Sequence, residues 1–219
     1  MSFGKCCVAG MFLLMALVGR HASAAPITIG GITFPDGAVS FADAVVSYSQ
    51  GTAVGAPWND PAESLGLPDY TGTDGMVSLG VGGSLIVRFV DNSLTTSGNS
   101  TADLHIFEVG AVIEAFNVAI SIDGVSWIDL GNVLGQPTSI DIDGKAGVVA
   151  GEKYSFVRLT DVAPSGLSGF PFGEADIDAI GAISSAAADP RAVPEPASMT
   201  LLATGMLWMG RRLYRQRAR

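Results

Sequence analysis

Apolar and polar residues alternate along most of this chain in short runs, and no stretch between its two ends shows helical spacing. In one such run, Leu85, Val87 and Phe89 alternate with Ser84 and Arg88. A period of two places alternate side chains on opposite faces of a strand. Ten such segments predict β-strands, at 27–34, 44–49, 76–79, 84–90, 103–109, 116–122, 127–130, 139–142, 154–160 and 177–183.

Turn residues separate these segments. Asp-Gly dipeptides occur at Asp36-Gly37, Asp74-Gly75, Asp123-Gly124 and Asp143-Gly144, and such dipeptides adopt positive φ at low cost. About ten strands without intervening helices favour an antiparallel β-sandwich. The body, residues 25–185, is long enough to bury the core of one domain.

The first 24 residues have the three regions of a secretory signal peptide. Lys5 precedes the apolar run 6–18, and Ala22-Ser23-Ala24 supplies the small residues of a cleavage site before Ala25. We therefore expect signal peptidase to remove residues 1–24. Cys6 and Cys7 leave with this segment, so the mature chain has no thiol or disulfide.

The last 26 residues, 194–219, predict a membrane address. Pro194, Glu195 and Pro196 precede the apolar run 197–210, and an arginine-rich tail containing Arg211 and Arg212 closes the chain. A run of 14 residues makes about 21 Å of helix, against a hydrocarbon core of about 30 Å. The cationic tail opposes translocation, so it stays cytoplasmic and the body lies outside. An ordinary tail anchor with chance prolines is the alternative.

This order of Pro-Glu-Pro, apolar helix and arginine cluster resembles the PEP-CTERM sorting signal of Gram-negative bacteria. The resemblance implies processing by an exosortase in a species that makes exopolysaccharide. It predicts an exported, membrane-anchored intermediate that is released to the cell surface or extracellular matrix, and that touches the membrane only through the unprocessed helix. Residues 186–193, small and flexible, are interpreted as a linker.

Charge excludes one class of partner. Between the two end segments the chain has five basic and 20 acidic residues, which gives a formal net charge of −15. Nucleic acid requires a basic surface, which this body lacks. A strongly acidic body instead favours divalent cations.

Two segments carry a second resemblance. The run 118–127, ending in Asp123-Gly124 and Trp127, and the run 154–160, Tyr-Ser-Phe-Val-Arg-Leu-Thr, are similar to a hairpin and the following strand of discoidin-like, galactose-binding-like jelly rolls. The resemblance implies a core position for Trp127 and an acidic partner for Arg158 near the end of the sandwich. Segments 64–69 and 77–85 resemble bacterial cell-surface proteins of that fold group.

Few residues are suited to catalysis. His105 is the only histidine left after removal of the signal peptide, and it lies in a predicted strand, so nucleophilic triads and zinc sites with several histidines are disfavoured. A hydrolase with two carboxylates stays open as an alternative. Glu108 and Glu114 have apolar neighbours and are the acids that we expect to be buried.

Two Asp-x-Asp pairs are candidate calcium ligands, because residues two apart in a strand share a face. The pair Asp141 and Asp143 also fits an ordinary Asp-Gly turn. Asp176 and Asp178, with Glu174 close by, form the preferred candidate. Calcium is therefore the cofactor considered.

These observations together predict a secreted binding or structural module rather than an enzyme. Extracellular polysaccharide is the expected partner beyond the two processing enzymes. Three aromatic residues in predicted loops are candidates for stacking on sugars: Trp58, Tyr70 and Phe172.

Overall fold

The computed structural model describes residues 24–162, 170–171 and 173–192, and these contain strands and short 3-10 helices only. The 3-10 helices are Gly37–Ser40, Pro61–Ser64 and Pro190–Ala192. The strands are β1 (Ile27–Ile29), β2 (Ile32–Phe34), β3 (Ala44–Ser49), β4 (Val77–Ser78), β5 (Ser84–Arg88), β6 (Asn92–Leu94), β7 (Leu104–Val109), β8 (Ala115–Ser121), β9 (Ile128–Leu134), β10 (Thr138–Ile140), β11 (Phe156–Asp161), β12 (Asp176–Ala182) and β13 (Ser185–Ala187).

The strands form two main antiparallel sheets. One has four strands in the order β10-β7-β12-β4, and the other has five in the order β3-β5-β11-β8-β9. Alternation in β11 sends Val157 and Leu159 inward and leaves Arg158 outside. The inward residues of both sheets join one buried cluster, and burying each such side chain contributes about 1.5–3 kcal/mol. The predicted all-β, antiparallel architecture is confirmed.

A small second core covers the outer face of the four-stranded sheet. Here β1 and β2 form a hairpin whose Phe34 packs 4.6 Å from Phe41 and 6.1 Å from Phe107, measured between ring centroids. The sequence predicted a single strand over 27–34. That prediction was wrong because Gly30 and Gly31, with φ of 57° and 84°, reverse the chain in the middle of the segment.

The chain after β12 continues as regular structure where its composition predicted a linker. Ala186 and Ala187, interpreted as the start of a linker, belong to β13, which pairs with β6. Neither of these strands was predicted, since each has three residues and lacks alternation. Beyond them Asp189 is buried, and its carboxylate binds the guanidinium of Arg191. The described domain therefore extends to Ala192.

Both predicted end signals lie almost entirely outside the described residues, including Ala22, Pro194, Glu195, Pro196, Arg211 and Arg212. Ala24 and Ala25, which flank the predicted cleavage site, are its described members. Within the part of the chain that the structure describes, no helix has the length and apolarity needed to cross a bilayer.

Candidate functional site

The three aromatic candidates differ in position. Trp58 is buried, with 7% of its surface exposed, because its carbonyl oxygen accepts a hydrogen bond from the Ser78 N–H at 2.9 Å and draws the loop onto β4. The prediction that Trp58 offers a ring to a sugar was therefore wrong. Tyr70 is half-buried, and Phe172 lies outside the described residues.

The preferred calcium candidates are all buried but do not form one regular strand face. A register irregularity between Ile177 and Ala179 interrupts the alternation of β12. Asp178 accepts a hydrogen bond from the Asp69 N–H at 2.9 Å, whereas Asp176 lies opposite Ser78. Burial raises the pKa of Asp176 to about 7 and that of Asp178 to about 6. Glu174 is buried just before the strand.

Glu108 and Glu114 are buried, as their apolar neighbours predicted. Glu108 is the last inward-facing residue of β7, and both its side-chain oxygens lack a hydrogen-bond partner among the described residues. Burial is the main cause that raises the pKa of Glu108 to about 9, and the charges of Glu114 and Asp176 add to this rise. The backbone N–H of Glu114 lowers the pKa in part, although it does not form a hydrogen bond with Glu108. Glu108 is therefore protonated near neutral pH.

This arrangement has one property of a glycosidase site, a protonated acid near other carboxylates. The acids are sealed, however: Glu108 is 1% exposed, Glu114 2% and Asp176 6%. A glycosidic oxygen has no route to them in the described structure.

A second acidic cluster lies in loops. One carboxylate oxygen each of Asp103, Asp141 and Asp143 lies within 4.8 Å of the other two. The fully buried Asp103 accepts hydrogen bonds from the Ser97 N–H at 2.8 Å and the Ile142 N–H at 2.9 Å, so it fastens two loops together. These oxygens suit a hard cation, but Asp103 is already satisfied by backbone donors. Sequence spacing found Asp141 and Asp143 and missed Asp103, which lies far away along the chain.

His105 is buried beneath the amino-terminal hairpin. Its Nδ1 lies 2.6 Å from the hydroxyl oxygen of Ser139, and its ring meets Phe107 edge-on at 4.6 Å. Burial lowers its pKa to about 4, so the ring is neutral. Nε2 is buried and has no partner among the described residues. Within the described residues no carboxylate forms a hydrogen bond with this ring, as a catalytic triad requires.

The outer face of the five-stranded sheet carries the most organised polar group. Strand register places Arg158 of β11 opposite Ala119 of β8, and Ala119 opposite Asp129 of β9. In the next row Asn117 of β8 lies opposite Asn132 of β9. Arg158 and Asp129 thus lie on either side of Ala119, which is fully buried, and their backbones are about 10 Å apart, twice the strand spacing.

Trp127 completes this face. The Arg158 guanidinium carbon lies 4.5 Å from the centroid of its ring, and Trp127 is half-buried. The prediction that Trp127 fills the core was wrong: the next residue, Ile128, packs against the core opposite Ile120, so Trp127 falls outside. Arg158 forms no ion pair within 4.0 Å among the described residues. The acidic partner that the resemblance implied for Arg158 is therefore not in contact with it among the described residues, although the charge of Arg158 lowers the pKa of Asp129.

Asn117 organises the acceptors of the face. Its Nδ2 donates to Asp129 Oδ1 at 2.8 Å and to Asn132 Oδ1 at 3.1 Å. The Gly131 N–H donates to the same Asp129 oxygen at 2.9 Å. These bonds lower the pKa of Asp129, with a further contribution from the charge of Arg158. The outer face of β8, β9 and β11 thus presents an ionised acceptor, a guanidinium and an indole ring; we call it the Trp127 face.

Sequence reasoning did not find the Trp127 face. Its residues come from three strands separated by up to about 40 positions, and only the strand register brings them together. The sequence feature that could have indicated it is the alternation of β11, because Val157 and Leu159 face the core and Arg158 between them faces outward.

The chain resembles known proteins in its structure and not in its sequence. No protein-family model matches the chain, and no curated protein sequence matches it. Among solved structures, it is similar to the C-terminal domain of a chitobiase from Bacteroides fragilis, at 12% identity and a TM-score of 0.38. The match covers 69% of this chain and 97% of that domain.

Proposed function

We propose that this protein is an exported, non-enzymatic β-sandwich that binds glycan through the Trp127 face. The finer fold assignment, a galactose-binding-like jelly roll, belongs to the same proposal and is supported by the hairpin and strand resemblances in the sequence. The ligand is an extracellular polysaccharide of the cell surface or matrix.

The observation that carries the proposal is the stack of Arg158 on Trp127 beside the Asn117–Asp129–Asn132 network. Sugars present apolar C–H faces, which pack on indole rings, and hydroxyl groups, which exchange hydrogen bonds with charged and amide side chains. The ring holds the guanidinium in place, and the amide network holds the carboxylate. Such a preorganised surface loses little side-chain entropy on binding.

Three features support a binding module over the alternative hydrolase. Glu108 and Asp176, whose pKa values are raised by burial, are enclosed within the sandwich. His105 is neutral and covered. The Trp127 face itself contributes one carboxylate, Asp129, whose pKa is lowered, whereas a glycosidase needs a second acid kept protonated.

The route of the protein to the cell surface is part of the proposal. The terminal sequence signals support cleavage by signal peptidase before Ala25 and by an exosortase near Pro194 in a Gram-negative bacterium. In this account the apolar helix anchors an intermediate only, and the mature body is released into the polysaccharide matrix.

A glycan array tests the proposal. We expect the purified full chain to bind at least one bacterial or plant polysaccharide, and Trp127→Ala to weaken that binding about tenfold or more, since buried aromatic anchors commonly contribute over 1.4 kcal/mol. Tyr70→Ala is the matched control, because Tyr70 is a half-buried aromatic in a loop. If Tyr70→Ala lost glycan binding and Trp127→Ala kept it, the binding site would lie in the loops rather than on the Trp127 face.

A further inference from the structure

We propose that the polysaccharide recognised by the Trp127 face is uncharged and is selected through its hydroxyl groups, with Asp129 as the specificity-determining acceptor. This inference rests on the proposed function and names the ligand class of the same site. It follows from which hydrogen-bonding atoms of the face are already used and which are left to a ligand.

The two oxygens of Asp129 have different surroundings. Oδ1 accepts the Asn117 Nδ2 at 2.8 Å and the Gly131 N–H at 2.9 Å. Oδ2 receives no hydrogen bond from the described residues, and the side chain is exposed. One oxygen therefore fixes the carboxylate on β9, and the other faces solvent as an ionised acceptor. Its complement is a hydroxyl donor.

Arg158 supplies the opposite half of the recognition. The guanidinium forms no hydrogen bond or ion pair with the described residues and lies against the Trp127 ring. A guanidinium carries five donors and no acceptor. One hydroxyl of a glycan can donate to Asp129 while another hydroxyl accepts from Arg158, so a hydroxyl-rich chain that lies across β8 uses both groups.

Charge selects against acidic sugars. A uronate carboxylate bound by Arg158 lies on the same face as the ionised Asp129, and repulsion between the two like charges disfavours binding. The wider body repels polyanions too, because its formal net charge is −15. Arg88, on the same outer face, is half-buried over the Phe156 ring at 5.5 Å, and so adds little free positive surface. A neutral polysaccharide avoids both penalties.

The experiment is affinity electrophoresis of the full chain in gels that contain one polysaccharide each. The neutral probes are dextran, galactan, mannan and xylan; the acidic probes are polygalacturonate and alginate. We expect retardation by at least one neutral probe and none by the acidic ones. Asp129→Asn keeps an acceptor for Asn117 and Gly131 but turns the free oxygen into a donor. It should weaken neutral binding about 10- to 100-fold, the range for loss of a hydrogen bond to a charged group.

Asp141→Asn is the matched control, an acid-to-amide change in a distant loop that should leave retardation unchanged. Retardation by an acidic probe alone, or unchanged neutral binding in Asp129→Asn, would overturn the inference while leaving glycan binding intact. Absence of retardation by every probe would overturn the proposed function as well. Loss of binding in Asp141→Asn, with Asp129→Asn unaffected, would place the site on the acidic loops instead.

Discussion

Arg158 and Trp127 form a stacked pair outside the core, with the guanidinium carbon 4.5 Å from the ring centroid. The pair lies on a sheet face whose remaining polar residues are already ordered by Asn117. The guanidinium covers one face of the ring, and Trp127 is half-buried and lies outside the core cluster. Its position predicts a modest role in stability and a larger one in binding.

The first prediction concerns stability. Trp127→Ala should cost about 1 kcal/mol of unfolding free energy, because an exposed cation–π contact contributes about that much. Phe116→Ala, which empties a fully buried core position, should cost about 3–5 kcal/mol. Urea unfolding of both variants measures the difference. Equal losses of unfolding free energy in the two variants would show that Trp127 is a core residue.

The second prediction concerns pH. The folded pKa of Glu108 is about 9 against an ordinary value of 4.5, so the native state retains a proton that the unfolded chain releases. Stability must then fall as pH rises through this window. Below pH 6.5 the lowered pKa of His105 has the opposite effect, because the unfolded chain binds a proton that the native ring does not. Near pH 7 the raised pKa of Asp176 adds a second falling contribution, so the range that reports on Glu108 is pH 8–9. Thermal melts in metal-free buffer should show a falling Tm there; a rising Tm would contradict the burial of Glu108.

Glu108→Gln tests the source of that slope. An amide of nearly the same volume removes the titrating group, so Tm should become nearly constant between pH 8 and 9 and exceed the wild-type value at pH 9. Each kcal/mol regained corresponds to about 2–4 °C for a domain of this size. Asp141→Asn serves as the control and should keep the wild-type slope. A slope that survives Glu108→Gln would assign it to another group.

Calcium binding at Asp176, Asp178 and Glu174 stays a prediction from the sequence. A cation bound only by the native state raises stability by mass action, so EDTA should lower Tm. The Asp176→Asn variant should melt identically with and without EDTA, whereas Asp143→Asn should keep the EDTA effect. Metal analysis of the untreated protein completes the test. An unchanged wild-type melt in EDTA, with no calcium present, refutes the calcium prediction.

Mass spectrometry of protein from its native host tests the processing sites. The mature chain should begin near Ala25 and end close to Pro194, because signal peptidase and an exosortase recognise the segments that flank these residues. Surface-exposed protein that retains Arg219 would show that C-terminal sorting does not occur.

Strand alternation and Asp-Gly turns were sufficient to predict the fold class. They placed β3 at its observed limits and β5, β7, β8 and β12 within two residues. The short strands β6 and β13 were missed, because three residues carry too little pattern and their pairing is a tertiary event. The burial of Glu108 and Glu114 was predictable from their apolar neighbours.

The candidate site was harder to predict. Aromatic residues in loops were candidates for sugar stacking that could equally pack against their own domain. Trp58 packs in this way, held against β4 by a backbone hydrogen bond that local sequence does not reveal. The resemblance to jelly-roll hairpins assigned Trp127 to the core. The assignment is wrong by one residue in the alternation of the strand, and such an error moves every side chain to the opposite face. Asp129 and Asn117 become neighbours only through the pairing of β8 with β9.

The central claim is that glycan binds on the outer face of β8, β9 and β11. Amide chemical-shift mapping by NMR, during titration with a polysaccharide fragment that the protein retains, tests the location most directly. The account predicts that the perturbed amides cluster around Asn117, Asp129 and Arg158, with the Trp127 indole N–H among the largest shifts. Perturbations confined to the loop around Tyr70, with the sheet amides unmoved, would contradict it.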